Sequence, residues 1–161
     1  MKNERGFSLT ELMIVLSIIA IFSAVSMLSS QGPLNTFRVR TAARQVFSDI
    51  QTARLGAIRG GRSWALCFPA GNGVAVTTYT VQNNAGADAT LCTADDGVPV
   101  RTSTIGSPKL VITKNFAPAN LTFNPNGTAS AGGNLVTITS TNGGRILNIN
   151  VTTGTGNPRI Q

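Results

Sequence analysis

The sequence predicts an α+β fold. One long N-terminal helix, apolar in its first half and amphipathic in its second, packs on a small antiparallel β-sheet or two-sheet body. Three observations predict it. Phe7–Leu28 is a long apolar run. From Leu34 to Arg59 apolar residues recur with the period of a helix. Beyond Gly61 the pattern changes to short β-type runs punctuated by Gly, Asn and Pro. A chain of 161 residues has room for one domain plus a membrane segment, and too little for two sizeable cores. The expected organisation is a short basic leader over 1–6, an apolar transmembrane helix over 7–29, an amphipathic helix half over 30–59 and a β-rich body over 60–161.

Phe7–Leu28 holds 22 residues, and about 20 apolar residues cross the hydrocarbon core of a bilayer as a helix. Lys2 and Arg5 precede it, which favours a cytoplasmic N-terminus with the remainder outside. A secretory signal has a shorter apolar region that ends at a small-residue cleavage site; here Ala20 and Ala24 lie inside the run. Glu11 is its one ionisable residue. A charge at the centre of a spanning helix costs about 2.5–3.5 kcal/mol on insertion scales, and nothing nearby in the sequence neutralises it. Glu11 therefore points to a partner outside its own chain.

Gly32-Pro33 is the expected break after the apolar half, because proline removes a helical hydrogen bond and disfavours helix in the residue before it. The amphipathic half carries Phe37, Ala43, Val46, Phe47, Ile50, Ala53, Ala57 and Ile58 as its packing stripe. Arg38, Arg44, Asp49, Gln51 and Arg54 occupy much of the remaining circumference, and the arginines, with Arg40 and Arg59, form a basic face suited to headgroups, neighbouring subunits or DNA. Gly60-Gly61 ends the helix. Strands are expected at Ser63–Phe68, Val74–Val81, Val98–Thr104, Leu110–Lys114, Leu121–Phe123, Leu135–Ser140 and Arg145–Val151, with Asn142-Gly143 as a tight turn. By parity Trp64, Leu66 and Phe68 share one face, which is read as core.

The formal charge is +7, yet only 12% of residues are charged, so the basic balance reflects few acids more than a dense cationic patch. Such a surface attracts nucleic acid or anionic lipid without demanding either. The chain has no histidine, which removes the commonest general base and zinc ligand. Ser, Thr and Cys nucleophiles lack that activating base, so the sequence is read as non-enzymatic, with no cofactor and no metal. Asp88, Asp95 and Asp96 surround Cys92 without the regular spacing of a calcium loop. Lys109 and Lys114, beside Leu110, Val111 and Ile112, read as solvent-facing strand ends. Cys67 and Cys92 suit a disulfide if the body is exported, and two unrelated thiols if it is not.

Gly6-Phe7-Ser8-Leu9-Thr10-Glu11-Leu12-Met13-Ile14-Val15 resembles the class III signal of type IV pilins and pseudopilins. The resemblance implies that a prepilin peptidase cuts after Gly6, that the new N-terminal residue Phe7 is methylated on its amine, and that the Glu11 carboxylate pairs with the N-terminal ammonium of a neighbouring subunit. Two ions that are costly to bury alone are then stabilised when subunits stack head to tail. Many members carry a proline near the position of Leu28, where this chain has none until Pro33.

Two further stretches narrow the resemblance to the GspH/FimT family of minor pilins and minor pseudopilins. Phe47-Ser-Asp-Ile-Gln-Thr-Ala-Arg54-Leu-Gly-Ala-Ile58-Arg-Gly-Gly-Arg62, with Cys67 in the following strand, is similar to that family's helix-to-first-strand segment. Leu121-Thr-Phe-Asn-Pro-Asn-Gly127 is similar to its Phe-x-x-x-Gly turn. The likeness implies a subunit of the bacterial inner membrane, body outward, that joins a pilus or a type II secretion pseudopilus as a minor pilin priming assembly or occupying the tip. Its expected partners are other pilin subunits, the prepilin peptidase and the membrane. Some members resemble a DNA receptor with a basic C-terminal Gly-Arg-x-Arg element. Here Gly156-Asn157-Pro158-Arg159 lacks the first arginine, leaving Arg145 and Arg159 as the DNA-contact candidates, with Arg62 or Arg101 beside them.

Overall fold

A computed structural model describes residues 7–29, 31–69, 71, 73–105, 110–117, 120–130, 132–141 and 146–161. Two helices, α1 (Leu9–Ser29) and α2 (Gln31–Gly60), are followed by eight strands. These are β1 (Trp64–Cys67), β2 (Thr78–Gln82), β3 (Arg101–Thr104), β4 (Leu110–Ala117), β5 (Leu121–Phe123), β6 (Gly132–Ser140), β7 (Leu147–Val151) and β8 (Pro158–Ile160). Met1–Leu34 and Asn35–Gln161 form two compact units.

The first unit contains α1, whose described side chains, from 9 to 24, are all exposed. Two of its serines close hydrogen bonds within the helix: the Ser17 hydroxyl donates to Met13 O at 2.5 Å and the Ser23 hydroxyl to Ile19 O at 2.8 Å. Such back-bonding to the preceding turn lets a hydroxyl sit on an apolar surface without an unsatisfied donor. Among the described residues no helix is long and apolar enough to cross a membrane. The expectation of a transmembrane helix over 7–29 rests on the sequence run, of which α1 accounts for 21 residues. Gly32-Pro33, expected as the break, instead lies in the first turn of α2. Proline is tolerated there because the first N–H groups of a helix have no intrahelical acceptor.

In the second unit α2 packs its buried stripe, Val39, Ala42, Ala43, Val46, Ile50, Ala53 and Ala57, into a single core with both sheets. Phe37 and Ile58, expected on that stripe, are 66% and 44% exposed. Their angular positions lie away from its centre at 100° per residue. Gly61 takes φ 59°, the left-handed conformation that terminates a helix at glycine.

The strands form two antiparallel four-stranded sheets, in the orders β3-β2-β1-β5 and β4-β6-β7-β8. Each expected strand overlaps an observed one, although β2 begins only at Thr78 and β3 at Arg101, while β4 runs on to Ala117 and β6 starts earlier, at Gly132. Val76, from the expected start of β2, instead exchanges backbone hydrogen bonds with Ile112 of β4 at 2.9 and 2.8 Å, linking the two sheets. Strand β8 is not among the strands that hydrophobic patterning predicts. It is three residues long, opens with Pro158 and lies at the edge of its sheet, which is where a residue without an N–H is accepted. The Asn142-Gly143 turn lies outside the described residues.

Period-2 alternation sends Tyr79 and Val81 of β2 and Leu66 of β1 toward α2, and Leu110, Ile112, Val136, Ile138, Leu147, Ile149 and Val151 into the same core. Lys114 follows the inward phase of β4. It is 2% exposed, not solvent-facing as expected, with its Nζ 5.5 Å from the centre of the Phe68 ring. Burial lowers its pKa from the usual lysine range.

Candidate functional site

Ser8 stands immediately before α1, and its carbonyl accepts the first helical hydrogen bonds, from Glu11 N–H at 3.1 Å and Leu12 N–H at 3.2 Å. Its hydroxyl pairs with that of Thr10 at 2.8 Å. Glu11 thus falls in the first turn, where the unpaired N–H groups of the helix favour a negative charge. Its neighbours Phe7, Leu9, Leu12 and Ile14 are 81%, 76%, 55% and 61% exposed. Among the described residues the Glu11 carboxylate has neither hydrogen bond nor ion pair. Among the described residues the arrangement is a carboxyl group without a partner on an exposed apolar helix surface. Gly6 lies outside the described residues.

The sequence reading missed a second constellation, inside the body. Asp49, expected on the solvated side of the helix, is 1% exposed. Its Oδ2 accepts the hydroxyls of Tyr79 and Ser103, both at 2.7 Å, and its Oδ1 meets the Arg101 guanidinium at 3.1 Å. One carboxylate thereby fastens α2 to β2 and to the edge strand β3. Burial, and then the hydrogen bond to Asp49, push the Tyr79 hydroxyl well above the ordinary tyrosine pKa. The available signal was phase: Asp49 lies three residues after Val46 and four before Ala53, both on the buried stripe.

A third arrangement joins the two family-like glycine motifs. Gly127, at the end of the Phe123–Gly127 turn, has φ 80°, and Gly156 has φ 63°. A Cβ on Gly156 would stand 2.3 Å from Gly127 O, and one on Gly127 would stand 2.8 Å from Ile58 Cδ1. The Arg54 Nε–H donates to the same Gly127 carbonyl at 3.1 Å. The two turns are stacked on each other and clipped to α2. Gly56 serves a related purpose, since a Cβ there would meet the Trp64 ring at 2.6 Å; Trp64 is spread against the helix.

Arg159 follows this clip on β8 and is exposed. Of its expected companions, Arg101 belongs to the other sheet and is engaged by Asp49, Arg62 lines a cleft with Ser63, Asn83 and Asn120, and Arg145 lies outside the described residues.

Cys67 and Cys92 are joined by a disulfide. Cys67 pairs across the sheet with Thr80, so the bridge attaches the 83–100 segment to the sheet face turned away from α2. A cleft of about 640 Å³ lies beside that segment. Its aspartates are used locally. Asp96 Oδ2 accepts the N–H groups of Cys92 at 2.5 Å and Thr93 at 3.2 Å. The Thr93 hydroxyl and the Asp88 N–H hold Asp95 below the usual carboxylate pKa. Among the described residues no group of three or more His, Cys, Asp or Glu is placed to hold a metal ion.

Comparison with known proteins agrees with this architecture. Residues 42–155 match the family described as type II transport protein GspH, and residues 1–27 match the prokaryotic N-terminal methylation motif. The chain belongs to the GspH family of pilin-like proteins. Two crystal structures of the type IV minor pilin FimU from Pseudomonas aeruginosa (strain PAO1) share its fold. One, in space group P21, has a TM-score of 0.58 at 17% identity, covering 76% of this chain and 86% of that one. The other, in space group P65, has a TM-score of 0.57 at 17% identity, covering 76% and 91%. None of the curated proteins compared with the chain matches it.

Proposed function

We propose that this protein is a minor type IV pilin that primes pilus assembly or occupies the filament tip, after anchoring in the inner membrane through Phe7–Leu28 with its body in the periplasm. A prepilin peptidase removes residues 1–6 by cutting after Gly6, and Phe7 becomes the methylated N-terminus. The observation that carries the reading is Glu11: an anion without a partner among the described residues, on an exposed apolar helix, within a matched N-terminal methylation motif. The ammonium of a neighbouring subunit supplies the missing charge as the two subunits stack.

The test is incorporation. Glu11→Val is expected to remain in the membrane fraction and to disappear from sheared filaments; wild-type levels in filaments would refute the role given to Glu11. Gly6→Ala is expected to leave an unprocessed band, and normal cleavage would refute the assigned site. Within the same family, a pseudopilin of type II secretion would instead be encoded beside other secretion components and would be missing from pili. A DNA-binding role has weaker support, because Arg101 is engaged by Asp49. It would require salt-sensitive duplex binding that Arg159→Gln weakens.

A further inference from the structure

We propose that the exposed arc of α2 formed by Phe37, Arg38, Arg40, Thr41 and Arg44 rests on anionic phospholipid headgroups while the subunit waits in the membrane. This inference rests on the anchoring read above for Phe7–Leu28. The arc lies on the side of α2 away from Val39, Ala43, Val46 and Ile50, which are 0–1% exposed. All four polar members of the arc are exposed, and Phe37 is 66% exposed. No acid offsets the arginines. The sole acidic residue of α2 is Asp49, which is buried beneath the helix and held by Arg101.

Three features favour lipid over other occupants. Phe37 begins the arc nine residues after Leu28, so the arc is adjacent in sequence to the apolar run. An aromatic ring flanked by arginines matches the depth profile of an interface, with the ring among acyl-chain ends and the guanidinium groups at phosphate level. A second copy meeting the same arc would bring arginines against arginines with no acid between them, which is repulsive. Nucleic acid would satisfy the arginines and leave Phe37 without an apolar surface.

Because Cys67 and Cys92 are joined and no free cysteine is present, Thr41→Cys gives the full-length protein a single reactive thiol at the centre of the arc. The protein is reconstituted in nanodiscs of phosphatidylglycerol or of phosphatidylcholine, and labelling by a water-soluble maleimide is timed. Labelling is expected to be slower in phosphatidylglycerol, with the difference abolished by high salt. Near an anionic surface each arginine is worth about fivefold in binding, so adding Arg38→Gln, Arg40→Gln and Arg44→Gln is expected to restore the phosphatidylcholine rate. Equal rates in the two lipids, for a protein that floats with both discs, would overturn this inference alone. Protection that appears only on adding duplex DNA would also overturn it. A protein that fails to float with the discs would overturn the anchoring reading and this inference with it.

Discussion

Asp49 shows most directly how one side chain organises this body. A carboxylate that accepts two hydroxyls and faces a guanidinium is compensated for its loss of water, whereas removing it leaves buried donors without an acceptor. Asp49→Ala is therefore expected to destabilise the body by about 1–3 kcal/mol for each buried hydroxyl left without its acceptor, seen as a lower midpoint in denaturant. Tyr79 offers an independent measurement, being the single tyrosine of the chain. Its folded pKa is raised, so the unfolded chain releases the phenolic proton first. Tyr79 therefore contributes stability that is complete below about pH 10, the ordinary tyrosine value, and is lost as the pH rises beyond it. Phenolate absorbance is expected to lag in the native protein and to appear near the ordinary value in denaturant; Tyr79→Phe is expected to abolish the signal. A native titration at the ordinary value would contradict the burial of this network. From sequence alone the charge of Asp49 argues for solvent, while its phase on the helix argues for the core, and phase decides. The same holds for Lys114: its place in the alternation of β4 points inward.

At the level of elements, the core stripe of α2, the helix stop at Gly60-Gly61 and the inward face of β1 were legible, because each rests on local periodicity or on glycine conformation. What was not legible depends on contacts between distant segments. Phe123–Gly127 was recognised as a turn, but its stacking against Gly156 and its clip to Arg54 connect positions far apart in the chain. Strand β8 escaped because its pairing with β7, and not its composition, defines it. Gly156→Ala tests the clip: a residue with a side chain at this φ is strained, and its Cβ has no room beside Gly127 O. A loss of about 1–3 kcal/mol is expected from the backbone strain alone, measured by thermal unfolding. The disulfide closes a sequence separation of 25 residues, for which chain entropy gives about 3.5 kcal/mol. Cys67→Ala with Cys92→Ala is expected to lower the midpoint correspondingly and to make the 83–100 segment the first site of proteolysis.

At the scale of the whole molecule, Met1–Leu34 and Asn35–Gln161 are two compact units. Among the described residues, all of the buried core belongs to the second. A chain beginning at Asn35 is therefore expected to unfold cooperatively with the same Tyr79 lag as the intact protein; a non-cooperative melt would show that the first unit is needed for folding. The division also explains which parts of the functional reading came from sequence. Glu11 and its leader are defined by a short local motif. On the proposed function its partner belongs to another subunit, which is why the described residues of one chain offer none.

Two serine hydroxyls of α1, those of Ser17 and Ser23, have a consequence for how such a subunit is handled. Because Ser17 and Ser23 are satisfied by carbonyls of their own helix, they ask nothing of their surroundings. On the proposed function, transfer of α1 from acyl chains to the interior of a filament, or back again, leaves those bonds unchanged. Of the polar groups described on this helix, Glu11 is the one whose circumstances alter on the journey. On that reading the apolar helix itself is indifferent to which of the two apolar surroundings it occupies, and its one carboxylate marks the difference.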